Sequence, residues 1–466
     1  MTAVGFFRRL IEAHKRGEPQ GICSICSAHP AVLRAAMAQA AADGQPLLIE
    51  STVNQVNQFG GYTGMTPEDF RAFLLEVAEE GGFPAEDVVL GADHLGPYPW
   101  RGEAAEEAMR KACRLAADCV RAGYRKIHLD ASMALGGDTA GGDNRTDGTS
   151  GSAARGQVTP GADSAIPPSL IAEREAALAE AAERAFAGLS GGAVPRGESS
   201  EAAGAPPVYV IGTDVPPPGG TFEEEGIHIT RVEELRETVE SCREAFRRRG
   251  LKEAWERVVA VVVQPGVEFG DHTIHPYRRE QARELCAAAR ELPGVVLEGH
   301  STDYQTRRSL RELVEDGVAI LKVGPALTFA MREALFALEH IEEELRGGRR
   351  FAELSRLGAE LEAEMLANSV HWRGYYQGSA EEQRLARRYS LSDRCRYYWT
   401  APRVAAAVRR LLDNLAAASL PQTLVSQYFP HLLHDVREGW LKADPPSLIE
   451  ASIRKVLDDY SFAAGP

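Results

Sequence analysis

Eight short apolar segments alternate with amphipathic helical stretches between residues 21 and 346 of this 466-residue chain. Most of these segments are rich in Val, Ile and Leu without alternation, as is typical of parallel strands that are covered on both faces. Because an open doubly wound sheet usually has fewer strands, eight successive strand–helix units predict a closed (β/α)8 TIM barrel. The predicted strands are Gly21–Cys26, Pro46–Ser51, Val88–Asp93, Lys126–Asp130, Val208–Thr213, Val258–Gln264, Val295–Glu298 and Ala319–Val323.

The chain is expected to contain two regions. Residues 1–349 would form the barrel, and residues 350–466, where the strand pattern stops, a helical C-terminal subdomain packed on it. The segments 136–166 and 190–207 are rich in small and polar residues and lack periodicity, so both are predicted to be mobile insertions. The predicted barrel helices are Pro30–Ala42, Pro67–Glu79, Glu103–Ala122, Pro168–Phe186, Val232–Arg249, Tyr277–Glu291, Gln305–Glu315 and Ala330–Arg346.

The composition narrows the function classes. A formal net charge of -15 argues against a nucleic-acid partner, because such partners require a basic surface. No segment has the run of about 18 apolar residues that a membrane helix needs, and the amino-terminal residues lack the apolar core of a signal peptide. The seven cysteines are scattered, which indicates a reducing compartment and predicts a cytoplasmic protein.

Polar residues follow seven of the eight predicted strands, at the end where catalytic groups of such barrels lie. Charged groups there cost desolvation energy unless they are paired or bound to a metal. Histidines and carboxylates on separate strands suit a divalent ion with an open coordination position, and this ligand type predicts zinc. The predicted metal ligands are His94, His300, His128 and Asp130, with His128 alternatively supporting a neighbouring ligand.

The remaining strand-end residues are assigned to catalysis and substrate binding. Asp93 is a candidate acid or base, and Glu268 is either an acid/base group or a further ligand. The turns after the seventh and eighth strands are predicted to bind phosphate through hydroxyl and N–H donors, with a helix start after Thr328; the alternative is that these hydroxyls only cap a helix. The predicted substrate-binding residues are Glu50, Asn54, Gln264, Ser301, Thr302, Asp303, Lys322 and Gly324.

Lysine is scarce, with seven residues in the chain. A Schiff-base aldolase needs a lysine in the barrel interior or mouth. Only Lys126 and Lys322 lie in predicted strands, and Lys126 opens its strand rather than ending it. Lys322 is therefore a candidate for a Schiff base, but more of the strand-end residues support a metal-dependent reaction.

Long motifs along the chain resemble the Z-subunit family of D-tagatose-1,6-bisphosphate aldolase. The resemblance implies catabolism of tagatose 6-phosphate or galactitol, with a phosphorylated ketohexose as substrate. In that system a class II zinc aldolase, the Y subunit, cleaves the substrate, and the Z subunit supports it within an oligomer. Some relatives are described as ketohexose 6-phosphate 4-epimerases. The matching motifs are Gly21–Pro30, Asn54–Pro67, Gly91–Pro97, Lys126–Met133, Val263–Phe269, Gly299–Thr306, Leu321–Phe329 and Arg388–Arg394.

The chain departs from the class II aldolases themselves at the sixth strand. Asp93-His94 and His300 are similar to segments of those enzymes that carry zinc ligands, but Gln264 stands where they have a histidine. Three functions remain open: an accessory aldolase subunit, a metal-dependent 4-epimerase interconverting fructose 6-phosphate and tagatose 6-phosphate, and a sugar-phosphate kinase. The kinase is disfavoured because the sequence has no G-x-x-x-x-G-K-[ST] loop for ATP.

Overall fold

The computed structural model describes residues 2–138, 166–189, 205–213, 227–346, 351, 353–416 and 420–465. Eight parallel strands close into a barrel in which each strand pairs with its neighbours in chain order and β8 pairs with β1. The predicted (β/α)8 barrel is therefore confirmed. Its strands are β1 (Ile22–Ile25), β2 (Leu47–Thr52), β3 (Val88–Leu95), β4 (Lys126–Leu129), β5 (Val208–Ile211), β6 (Val258–Val263), β7 (Val296–Gly299) and β8 (Val318–Val323).

Ten α-helices of the described residues lie between the amino terminus and the end of the barrel. α1 precedes the first strand, and α10 follows the last one. The helices are α1 (Ala3–Lys15), α2 (Pro30–Asp43), α3 (Pro67–Gly81), α4 (Ala105–Arg121), α5 (Pro168–Leu189), α6 (Val232–Arg248), α7 (Lys252–Trp255), α8 (Arg279–Glu291), α9 (Arg307–Asp316) and α10 (Pro325–Leu345).

The last barrel helix begins earlier than the sequence predicted. α10 starts at Pro325, directly after β8, rather than at Ala330. Proline fits the first helical position, where its missing N–H costs nothing and its fixed φ suits the helix. Thr328 therefore lies within the first turn of α10 rather than before it, and its hydroxyl bonds Pro325 O and Asp393.

Helices form the C-terminal region, as expected, and four of them pack on the barrel helix α10. The last helix, α16, contacts α2, α9, α10 and strand β1, so it covers one side of the barrel. The division at residue 349 falls among residues that are not described. The helices of this region are α11 (Leu357–Ala367), α12 (Ala380–Tyr389), α13 (Pro402–Ala416), α14 (Gln422–Tyr428), α15 (Leu433–Arg437) and α16 (Pro445–Ala464).

The predicted insertions fall mostly outside the described residues, which omit 139–165 and 190–204. The described edge of the first one is well packed. Gly136 pairs with Ala104, and Asp138 forms a bidentate ion pair with Arg174 at 2.7 and 2.9 Å. None of the described helices is long and apolar enough to cross a membrane.

The interior of the barrel changes from apolar to polar along the strands, because alternate residues of a strand point to the same side. Near the amino-terminal ends the inward residues are apolar, including Leu48, Val89 and Ile320, and α1 closes this end with Phe7 and Leu10. Two residues further along β2, β3 and β8 come Glu50, Gly91 and Lys322. The sequence thus places a layer of charged side chains directly above an apolar floor.

Candidate active site

Five charged side chains form one buried network above this floor. Lys126 Nζ lies 2.7 Å from both Glu50 and Glu298, and all three side chains are completely buried. Lys322 Nζ contacts Asp93 and lies 3.1 Å from Glu50 and 3.3 Å from Glu298. Gly91 makes room for this network, because a Cβ there would lie 2.9 Å from Glu50 Cγ.

The network decides the protonation of its members. Burial acts to raise the pKa values of Asp93 and Glu298, but nearby cations outweigh it and hold both well below their ordinary values. For Asp93 these are His94 and Lys322, and for Glu298 they are Lys126 and Lys322. Burial also acts to lower the pKa of Lys322, but the surrounding carboxylates raise it well above its usual range. Both carboxylates are thus ionised and Lys322 is protonated at neutral pH.

A four-residue cluster in the barrel mouth can hold a metal ion. Asp93, His128, Glu298 and His300 each offer a donor atom, and these atoms all lie within 4.8 Å of one another. Burial lowers the pKa of His128, and it lowers the pKa of His300 to about 3, so both imidazoles are neutral. Two neutral imidazoles and two carboxylates match the donor set of zinc and related divalent ions.

Two observations on these residues fit a bound cation. His128 Nε2 is buried and has no hydrogen-bond partner among the described residues. The His94 backbone N–H donates to Nδ1 of the same ring at 3.0 Å, and Asp93 Oδ1 also lies 3.0 Å from Nδ1. Metal binding at Nε2 would place the ring proton on Nδ1, where it would be donated to Asp93 in place of the bond from His94 N–H. In the network, three carboxylates face two ammonium groups, which leaves one negative charge for a cation to neutralise.

The other two predicted ligands pair with each other instead of joining that cluster. His94 Nδ1 lies 2.7 Å from Asp130 Oδ2. Burial acts to lower the pKa of His94, but Asp93 and Asp130 outweigh it and raise the pKa above its ordinary value. The raised pKa favours the protonated imidazole, a form that cannot bind a metal through a protonated nitrogen, and it suits His94 to donate a proton. Its role as a ligand stays a prediction.

His94 nevertheless lies close to the candidate metal cluster. Its ring centroid is 4.8 Å from that of His300 and 5.2 Å from that of His128. His94 and Ser301 adopt φ values of 48° and 51° at the ends of their strands, a region that non-glycine residues rarely enter. Such strain persists where the surrounding structure holds it and is concentrated at functional sites.

The cluster opens into a cavity at the carboxyl ends of the strands. Several predicted site residues line it: Asp93, His94, His300, Asn54, Ser301, Asp303, Lys322 and Gly324. The remaining predicted residues do not reach its wall. They are His128, Asp130, Glu50, Gln264, Glu268 and Thr302, and each is buried.

Glu268 lies behind the wall on a short hairpin, Glu268–Phe269 with Ile274–His275, and Phe269 lines the cavity. Burial raises the pKa of Glu268 to about 7, although the Phe269 N–H and the Ser301 side chain lower it. A carboxyl group with a pKa near 7 can both accept and donate a proton at neutral pH. This property suits the acid/base role that the sequence suggested.

Several donors of the predicted phosphate site are already engaged. The N–H groups of Gly324 and Ala326 donate to Asp303 Oδ1 at 3.0 and 2.8 Å. The Thr302 hydroxyl donates to the backbone oxygen of Lys322 at 2.6 Å. Burial raises the pKa of Asp303 to about 6, although these N–H groups lower it. The N–H groups at the start of α10 therefore already bind the Asp303 side chain, and phosphate binding at this turn stays a prediction.

Gln264 has a local role in the turn after β6. Its side-chain oxygen accepts hydrogen bonds from the N–H groups of Gly266 and Val267, at 2.9 and 3.0 Å. The residue that replaces the class II histidine thus shapes the chain toward Glu268. A contact between Gln264 and substrate stays a prediction.

Some residues of the site were not assigned from the sequence, among them Glu298, Lys126, Arg396 and Tyr397. Glu298 could have been found by parity, because it precedes His300 by two residues and therefore points to the same side of its strand. Lys126 precedes His128 in the same way. Arg396 and Tyr397 line the cavity from the C-terminal region, and only the aromatic and basic composition of that stretch marked it.

The fold and the site together define a (β/α)8-barrel protein with acid–base groups and a candidate metal centre at the carboxyl ends of its strands. Within that class, the chain belongs to the D-tagatose-1,6-bisphosphate aldolase subunit GatZ/KbaZ-like family, whose model matches residues 7–465. The family expected from the motifs is thereby confirmed.

The similar proteins match over nearly their whole length. The D-tagatose-1,6-bisphosphate aldolase subunit GatZ of Escherichia coli O1:K1 / APEC is 44% identical over 98% of this chain and 99% of its own. The D-tagatose 6-phosphate 4-epimerase of Agrobacterium fabrum (strain C58) is 43% identical over 100% and 99%. A crystal structure titled a probable tagatose 6 phosphate kinase from Sinorhizobium meliloti 1021 has a TM-score of 0.80 and 43% identity, covering 96% of this chain and 100% of that one.

Proposed function

We propose that this chain is a metal-dependent 4-epimerase that interconverts fructose 6-phosphate and tagatose 6-phosphate in the cytoplasm. The observation that carries the proposal is the convergence of Asp93, His128, Glu298 and His300 within 4.8 Å in the barrel mouth. The two ammonium groups of the network offset two of its three carboxylates, and a bound cation would offset the remaining negative charge. The name of the Agrobacterium relative supports the same reaction.

The proposed ion is zinc, and Asp93, Glu298, His128 and His300 would hold it. When bound, it would supply the positive charge that polarises the keto oxygen of the substrate. The pKa of Asp93 is held well below its ordinary value, which favours a ligand over an acid/base role for this residue. Lys322 is protonated and ion-paired, so it would contribute charge rather than a Schiff base.

Inversion at C4 requires that the C3–C4 bond break and re-form. A base removes the proton of the C4 hydroxyl, and the C3–C4 electron pair moves toward the C2 carbonyl to give an enediolate and an aldehyde. The aldehyde turns its other face to C3, the bond re-forms, and an acid returns the proton to the C4 oxygen. We assign the exchange of this proton to Glu268 and His94, the former through the adjacent Ser301.

The test measures turnover and metal content in the same preparations. Zinc-loaded protein is expected to convert fructose 6-phosphate to tagatose 6-phosphate, followed by NMR. His300→Ala should lose the metal and the activity, while Glu268→Gln should keep the metal and lose about 10²- to 10⁴-fold in rate. Wild-type turnover should rise with pH through about 7, the pKa of Glu268, and Glu268→Gln should remove this dependence.

The exposed His272, on the loop after Glu268, provides a matched control, and His272→Ala should change neither quantity. Folded, zinc-loaded wild-type protein that turns over neither sugar phosphate would end the epimerase proposal. Metal retained at full stoichiometry in His300→Ala would end the ligand assignment.

A second function is favoured by the family description and by the name of the Escherichia coli relative, which is an aldolase subunit. In this proposal the chain binds a class II aldolase and raises its stability within a hetero-oligomer. Mixing the purified chain with such an aldolase should raise the melting temperature and specific activity of the aldolase. Equal values with and without the chain would argue against it. A kinase activity is not proposed, because the sequence has no phosphate loop for ATP.

A further inference from the structure

The C-terminal region contributes a fixed wall to the cavity through the segment Ser390–Tyr398, here called the strap. The strap carries Arg396 and Tyr397, which line the cavity although they belong to none of the barrel strands. This part of the cavity wall is therefore supplied by residues that follow the barrel in the chain. Its functional groups come in addition to those at the strand ends.

The strap is tied to the barrel loops at its beginning. The Leu391 N–H donates to Asp271 O at 3.0 Å, and the Ser390 and Ser392 hydroxyls donate to the Asp271 carboxylate at 2.9 and 2.7 Å. The Tyr304 hydroxyl donates to Leu391 O at 2.6 Å. These bonds hold the strap against the loops that follow β6 and β7.

A buried ion pair holds the middle of the strap on α10. Asp393 accepts hydrogen bonds from Arg332 Nε at 2.9 Å and from the Thr328 hydroxyl at 2.7 Å. Asp393 itself has a φ of 45°, a strained value that this pairing sustains. Arg396, three residues further on, is thereby fixed at the cavity before any ligand arrives.

Arg396 has donors to spare. Its Nη1 donates to the backbone oxygens of Ser392 and Asp393, and its Nη2 donates to the Tyr397 hydroxyl at 2.9 Å. Nε–H and the second Nη2–H have no acceptor in the described part of the chain. Within that part, no carboxylate forms an ion pair with this half-buried guanidinium, although Asp393 and Asp303 lie near enough to interact with its charge.

Two other groups near the wall that could meet a phosphate are already engaged. Lys322 contacts three carboxylates, and the N–H groups at the start of α10 bond Asp303. The Tyr397 hydroxyl accepts a hydrogen bond from Arg396 and keeps its own hydrogen free to donate. The Tyr397 ring packs edge-on against the Tyr62 ring, with 4.7 Å between the ring centroids. An arginine fork beside a hydroxyl donor matches a phosphate group in geometry and charge.

We propose that Arg396, together with the Tyr397 hydroxyl, binds the phosphate group of the ketose phosphate. The inference rests on the proposed function for the identity of the sugar, but not for the binding of its phosphate. It assigns the anion site to the C-terminal strap rather than to the turns after β7 and β8. The reacting carbons would then lie between the strap and the candidate metal cluster.

The test separates phosphate binding from turnover. Calorimetry with inorganic phosphate, fructose 6-phosphate and fructose should show that wild-type protein binds the first two. Arg396→Gln should weaken fructose 6-phosphate binding by about 10- to 100-fold. Arg396→Lys should recover part of the loss, and Tyr397→Phe should cause a smaller loss. In turnover assays, KM should rise while kcat changes by less than about threefold, because the contact is made equally in ground and transition states.

Arg373→Gln is the control, because Arg373 is exposed in the same region and this substitution removes the same charge. Folded Arg396→Gln protein that binds fructose 6-phosphate as tightly as wild type would overturn the inference. So would wild-type protein that binds neither phosphate nor fructose 6-phosphate. Arg396-dependent binding without any turnover would sustain the phosphate site while ending the epimerase proposal. If Arg396→Gln does not fold, Arg396→Lys and Tyr397→Phe decide by the same readouts.

Discussion

At the scale of single residues, the chemistry of this molecule is set by how each buried charge is compensated. Lys322 was a Schiff-base candidate from its position in a strand alone. Three surrounding carboxylates keep it protonated, and a protonated amine is not a nucleophile. His94 likewise differs from His300 in pKa, because Asp93, together with Asp130 at 2.7 Å, outweighs the effect of burial on His94. The residue types alone allowed several roles, and the neighbouring charges determine which protonation state, and hence which role, each residue has.

Glu175 offers a test of buried charge away from the metal cluster. It is completely buried on α5, where its oxygens accept from Gly212 N–H at 3.3 Å and Cys242 Sγ at 3.0 Å. Burial raises its pKa to about 8, from 4.5 in the unfolded chain. The stability that this raised pKa contributes is present below pH 4.5 and is lost as the pH rises toward 8.

Glu175→Gln cannot ionise, so its melting temperature relative to wild type should increase between pH 5 and pH 8 and then level off. Circular dichroism melts at several pH values would measure this. Glu106→Gln, at an exposed position of α4, should show no such trend. A constant difference between Glu175→Gln and wild type across this range would contradict the buried-charge account.

At the scale of elements, the strands deliver the site through their ends. β3 and β4 shift register between Ala92 and Leu95, where β3 carries Asp93 and His94. The backbone then turns so tightly that Gly96 packs against the carbonyl of Asp130. The sequence predicted β3 and its polar end. The close approach of the ends of β3 and β4 depends on the register between the two strands, which cannot be read from the sequence of either strand alone.

Gly96→Ala should be strongly destabilising, because its Cβ would lie 1.6 Å from Asp130 O, a backbone atom that cannot swing away. We expect a loss of about 3 kcal/mol or more in the free energy of unfolding, measured by denaturant titration. Gly102→Ala is the control, since a Cβ there meets nothing within 4 Å. Similar unfolding curves for the two variants would show that the β3 end is looser than the structure indicates.

At the scale of the whole molecule, the C-terminal helices are part of the barrel's packing as well as of its site. α16 buries Leu448, Ile453 and Leu457 against the barrel side. Tyr460 of the same helix donates its hydroxyl to Thr302 O at 2.9 Å, next to His300 and Ser301. The separate C-terminal subdomain predicted for residues 350–466 remains a prediction, and stability measurements can decide it.

Leu457→Ala should lower the free energy of unfolding by about 2–5 kcal/mol, the usual cost of truncating a buried leucine. Phe462→Ala, at a half-exposed position of the same helix, should cost less than about 1 kcal/mol. We expect the barrel and the C-terminal helices to unfold together, so near- and far-ultraviolet circular dichroism should report one transition. A C-terminal region that melts first, with the barrel signal retained, would show two independent domains.

The sequence by itself determined the barrel, its eight strands and the polar character of their carboxyl ends, because strand periodicity and strand order are local properties. It also determined the family, through motifs that span most of the chain. Tertiary structure alone decided that His94 pairs with Asp130 while His128 and His300 converge with Glu298, and that Arg396 reaches the mouth from the C-terminal region. The physical reason is that pKa values and ligand sets depend on distances of a few ångströms between residues far apart in the chain. Only closure of the barrel and docking of the strap bring those residues together.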